Sequence, residues 1–167
     1  TDWKRAVDQW QTLAKAVPVR AVDGPQSSAG HTALIAQQID LHDRVCDHFG
    51  LTLDPDAGTH FLVIGTLQQL PRLTEVLGQA RARGSLLLAK QDAAAIDLAG
   101  LGSLADRTTA LLADVQATIG KAFEADAGVK GRLEPRLKAV AAEVAGMNKL
   151  MSEKIVFAEA LDYPSGE

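Results

Sequence analysis

The sequence predicts an all-α protein, a long antiparallel up-and-down helical bundle of four-helix type with one broken or extra helix. Three observations carry that expectation. Hydrophobic content is 47% while aromatic content is only 4%, so Ala and Leu supply most of the apolar surface, and both favour helices. Val-Ile-Tyr-Thr runs bounded by turn residues, from which strands are built, are missing. Apolar residues recur at three-four spacing over long stretches separated by short Gly/Pro/Asp breaks. A chain of 167 residues is long enough for a real core, and one domain over 1–167 is the natural expectation.

The first helix is expected from Asp2 to about Val17, with Trp3, Val7, Trp10, Leu13 or Ala14, and Val17 as an apolar seam. Both tryptophans are read as core residues. Pro18 ends or kinks this helix, and Asp23-Gly24-Pro25 reads as a break. A second helix follows Pro25, with Ser27 or Ser28 as cap, and runs to Phe49. Its stripes (His31, Leu34, Gln38, Leu41, Val45, His48 and Ile35, Ile39, His42, Cys46, Phe49) make a wide face with polar groups embedded in it. Buried polar groups need partners, so His31 and Gln38 are expected to meet a neighbouring polar group or to line a cavity. Asp40 and Arg44 are spaced as an i,i+4 surface pair.

The stretch Gly50 to Gly84 contains the sharpest turn. Gly50 suits a left-handed helix end, with Leu51 as the apolar residue beyond it. Asp54 is expected to cap the next helix, with Pro55 as its first residue and Asp56 adding charge at its positive end. These acids read as caps; oxygen ligands at EF-hand spacing do not follow them. The third helix then runs to about Lys90, with a kink expected at Pro71. A fourth spans Asp92 to Asp126, frayed or broken near Gly100–Ser103, with Leu101, Leu104, Thr108, Leu111, Val115, Thr118 and Ala122 as its seam. The fifth covers about Val129 to Leu161, after a turn from Ala125 to Lys130, and forms an antiparallel hairpin with the fourth. Tyr163-Pro164-Ser165-Gly166 ends the pattern.

Net charge is −4, and no basic stripe with interleaved aromatics appears, which argues against nucleic acid. Cys46 is the only cysteine, so no internal disulfide is possible. No apolar run reaches the length of a membrane span. The N-terminus is neither a signal peptide nor an initiator Met, so a piece of a longer chain is expected, with any membrane segments outside it. A nucleophile elbow, a phosphate-cradling loop and a Glu-x-x-His pair are all missing, so no catalytic residue, enzymatic activity or cofactor is expected. His42 and Cys46 at i,i+4 are the best metal pair, against which stands the helix seam they sit on; no metal site is expected. For a small carboxylate, an Arg between helices gives a bidentate grip. Arg72 beside Pro71 is the best candidate, with Gln68, His31 and Gln38 as further ligand-binding residues.

Several residues together carry a resemblance. His31-x2-Leu34-Ile35, the turn Gly50-Leu-Thr-Leu-Asp-Pro-Asp56, Leu62, Leu70-Pro71, Leu77-Gly78-x2-Arg81-x2-Gly84 and the ending Ala160-Leu-Asp-Tyr-Pro164 resemble the helical-bundle input domain of bacterial methyl-accepting chemotaxis transducers and related membrane sensor kinases and cyclases. The likeness is densest over the second and third helices. It implies a periplasmic domain of an inner-membrane receptor, flanking membrane segments, a homodimer and no enzymatic activity of its own. It does not transfer a ligand; a small organic anion is the expectation from the Arg and amide groups. An input domain of a sensor histidine kinase or diguanylate cyclase is the alternative, as is an interaction bundle that senses through a partner protein.

Overall fold

The computed structural model describes residues 2–164. Among these the protein is all-α, with no strand, and no helix is long and apolar enough to cross a membrane. Ser165 and Gly166 of the expected ending lie outside the described residues. The chain divides after Asp54 into two compact units.

The first unit is an antiparallel hairpin of α1 (Asp2–Ala16) and α2 (Gly24–His48). Its direction is fixed by contacts at both ends. Arg44 near the end of α2 bonds Asp2 at 2.6 Å, while Leu13 packs against Gly30 near the start of α2. The expected α1 seam is kept at Val7 and Leu13 and overturned at Trp3, Trp10 and Val17. The shielded residues are Asp2, Ala6, Val7, Gln9, Leu13 and Ala16, whereas Trp3 and Trp10 are 65% and 57% exposed. Small residues explain the choice: a Cβ at Gly30 would sit 2.7 Å from Leu13 Cδ2, a closeness that a tryptophan row does not permit.

Arg20 at φ 53° closes the turn after α1, with Ala21 N–H reaching back to the Ala16 carbonyl at 3.0 Å. That is the helix-ending geometry usually given to glycine. The cap of α2 is Asp23, not Ser27 or Ser28. Its side chain accepts from Gln26 N–H at 2.7 Å and the Gln26 amide oxygen accepts from Asp23 N–H at 3.0 Å, a reciprocal box that the Gln in the third helical position permits. The wide buried face expected on α2 is reduced to Leu34 and Cys46. Gly50 is left-handed at φ 65°, as expected, and a 3₁₀ turn follows over Leu51–Leu53.

The first helix of the second unit begins two residues later than expected, at Ala57 rather than Pro55. Asp56, not Asp54, caps α3 (Ala57–Val63), accepting from Thr59 N–H at 2.8 Å. From Ala57 the helix continues without a break through a π segment (Ile64–Gln69) into α4 (Leu70–Lys90). The expected disturbance at Pro71 is absorbed by that segment. Leu70 N–H reaches five residues back to Gly65, so the wide turn comes just before the ring that would otherwise crowd the preceding carbonyl. The buried row records the extra residue: Gly58 to Gly65 is one heptad, Gly65 to Leu73 is a heptad plus one, and Val76, Ala80, Gly84 and Leu87 resume three-four spacing.

A left-handed Gln91 ends α4, and α5 (Ala95–Ala125) runs back along it. No break occurs at Gly100–Ser103. The glycine there serves packing: a Cβ on Gly100 would lie 2.6 Å from Arg83 Cζ, and Arg83 pairs with Asp97 at 3.2 Å. The α5 seam is Leu101, Thr108, Val115 and Ala122, joined by Leu112 and Ile119 where Leu111 and Thr118 were expected; those two are half-buried. Asp126 alone links α5 to α6 (Ala127–Met151), accepting from Gly128 and Val129 N–H groups at 2.7 and 3.0 Å, so the turn is shorter than the Gly128 signal implied. Pro135 lies inside α6, and a π segment (Ser152–Val156) ends it. Two apolar clusters hold the unit: Leu73 with Leu112, Val115, Ile119 and Val144, and Ala80, Leu87 and Leu88 with Leu101, Met151 and Ile155. Each fully buried Leu or Val contributes about 1.5–3 kcal/mol through removal from water.

Candidate functional site

A groove of about 700 Å³ runs along α1 in the first unit, closed on the α2 side by Gly30 and Ala33. Its α1 side is lined by Asp2, Lys4, Arg5, Asp8, Gln9 and Thr12, with Leu13 at its apolar end. Helical spacing places these groups together, because residues three and four apart share a face.

Some of the groove's groups are already engaged. Asp2 is bonded by both Arg5 and Arg44, and Arg44 also pairs with Asp40 at 3.0 Å. The hydrogen bond from Arg44 and then its charge hold the Asp2 carboxyl below its ordinary value, with Arg5 adding to the effect. Thr12 donates back to the Asp8 carbonyl at 2.8 Å. Three groups are unspent: the Lys4 ammonium and the Asp8 carboxylate make no side-chain bond with the described residues, and Gln9 Oε1 is buried without a hydrogen-bond partner among them. A buried acceptor left open favours a ligand that carries a donor, the free ammonium favours a carboxylate, and the free Asp8 carboxylate favours a positively charged or hydrogen-bond-donating group on the same ligand.

The four residues singled out in the sequence lie elsewhere. His31 and Gln38 are on α2 and exposed rather than embedded in an apolar face; His31 Nδ1 lies 2.7 Å from the Ser27 carbonyl. Gln68 and Arg72, in the second unit, are half-buried and do meet, since an Arg72 guanidinium N–H donates to the Gln68 backbone carbonyl across one turn. None of the four lines the α1 groove. His42 and Cys46 share α2, and among the described residues no three His, Cys, Asp or Glu side chains come together as a metal site requires.

Sequence reading missed Lys4, Gln9 and Thr12. The signal was present as polar residues at 4, 8 and 12 and at 5 and 9, but it is indistinguishable from a solvated helix face until the α2 wall is in place. In comparisons with family models, curated proteins and solved structures, nothing matched.

Proposed function

We propose that the chain is an extracytoplasmic ligand-binding domain of a bacterial transmembrane receptor of chemoreceptor type, working as a homodimer and taking a small organic acid. The reading rests on the resemblance carried by the Gly50–Asp56 turn and the Leu70–Gly84 stretch, and on one observation of geometry. That observation is the α1 groove, which pairs an uncommitted Lys4 ammonium with an open Gln9 acceptor. A carboxylate that also carries a hydroxyl or ammonium donor satisfies both. Arg72 and Gln68 are the second place for such a ligand. An input domain of a membrane kinase or cyclase would use the same groove with a different output. No catalytic role is proposed for any residue. Membrane attachment would lie in segments outside this chain.

Binding to the folded state raises thermal stability by mass action, about 2.7 kcal/mol at a hundredfold excess over Kd. A thermal-shift screen of organic and amino acids should find at least one stabilising compound, with the shift lost in Lys4→Ala. Stabilisation by no compound, or an equal shift in the variant, would count against this groove; loss in Arg72→Ala alone would move the site to α4. A second reading, sensing through a partner protein, is favoured by the exposed Trp3 and Trp10 of α1 and Val17 just beyond its end, spaced seven residues apart.

A further inference from the structure

A separate cavity of about 310 Å³ lies between α5 and α6, beside the π segment Ser152–Val156. One wall of it is fixed. The Asn148 amide donates to the Ala105 carbonyl at 3.2 Å and to Thr109 Oγ1 at 3.0 Å, and its oxygen lies 3.0 Å from the buried Thr108 hydroxyl. Both amide hydrogens are thereby spent, so this wall is rigid and offers a ligand no further donor. The remaining lining groups are uncommitted: the Asp106 carboxylate and the Ser152 hydroxyl make no side-chain bond with the described residues, and the Phe157 ring is 80% exposed. No Lys, Arg or His lines the cavity.

From these groups we infer that the α5–α6 cavity is a binding site for a small organic ammonium ion. A carboxylate and the face of an aromatic ring both attract positive charge, and neither is balanced here by a cationic side chain. Val156 and Ala105 supply apolar surface for a short hydrocarbon body. The volume is at the lower end of small-molecule sites, matching a ligand of choline size rather than a nucleotide or peptide. The site draws on none of the residues of the α1 groove and stands whether or not the receptor reading holds.

The test is a titration of the full chain with choline chloride at constant ionic strength, followed by amide NMR at the Asn148 side chain and the backbone of 152–157. Saturable shifts confined to this region are expected. The neutral carbon isostere 3,3-dimethylbutan-1-ol should produce none, and Asp106→Asn should weaken choline binding by about tenfold or more. Asp106 is exposed and bonded to none of the described residues, so that variant should keep the wild-type far-UV circular dichroism. Absence of saturation with choline, equal binding of the isostere, or wild-type affinity in Asp106→Asn would overturn the inference.

Discussion

At Gly65 the π segment lies close against Ile119 of α5, and replacing it by Ala makes a quantitative prediction. A Cβ there would stand 2.5 Å from Ile119 Cγ1 and 3.2 Å from Ile119 Cδ1. Carbon atoms pack at about 3.5–4.0 Å, so the contact is about 1 Å too short. Ile119 is buried in the cluster with Leu73 and Val115, so relieving the contact requires its neighbours to shift as well. Overpacking of this kind costs about 1–3 kcal/mol. Against it, Ala exceeds Gly in helix propensity by about 1 kcal/mol. The net expectation for Gly65→Ala is a loss of about 0–2 kcal/mol. Gly78 is the control, since a Cβ there meets nothing within 4 Å, and Gly78→Ala should gain about 0.5–1 kcal/mol. Ile119→Ala alone should cost about 2–5 kcal/mol. In the double variant the new methyl occupies space the isoleucine vacated, so the combined loss should fall short of the sum by about 1–3 kcal/mol. Urea unfolding followed by circular dichroism measures all four. Stabilisation of Gly65→Ala equal to that of Gly78→Ala, or additivity within about 0.5 kcal/mol, would refute the close approach.

Two further outcomes follow from the same structure. Thr108→Val should cost about 1–3 kcal/mol in urea unfolding, because it removes a buried hydroxyl whose one hydrogen is shared between the Ala105 carbonyl at 2.8 Å and the Asn148 amide oxygen at 3.0 Å, and Thr108→Val with Asn148→Leu should recover part of the loss. Asp2 has a folded-state value held below the ordinary carboxyl value of about 4, so its contribution is present above that value and is lost as pH falls through the lowered one. A pH series of thermal midpoints should therefore show this loss only on the acid side, smaller in Arg44→Met and weaker at high salt because the pair is solvent-exposed.

Much of the helical pattern was legible because it depends on neighbours in sequence. Gly50 was readable since only glycine takes φ 65° without strain, and the Asp40–Arg44 pair since one turn of helix brings the two together. The heptads of Leu101, Thr108, Val115 and Ala122 followed from periodicity alone. Ends closed by Arg20 and Gln91 were illegible because neither carries the glycine signal. The π segment was equally hidden, since a wide turn satisfies the same residues as an α turn and only the proline after it hints at a disturbance.

By itself, the sequence determined that this protein is built of long helices, where most of them lie and that they turn back on one another, because propensity, caps and periodicity act over one or two turns. Which face of each helix is covered was decided by tertiary structure. The row of α1 that meets α2 is the one with Ala6, not the one with Trp3 and Trp10, because Gly30 and Leu13 permit a closer approach than the indole rings. The same holds for the groove. Lys4 and Gln9 become candidate ligand groups only once a second helix forms the far wall of the groove, and whether a polar side chain such as Gln9 is solvated or enclosed depends on that neighbour rather than on its own position in the chain.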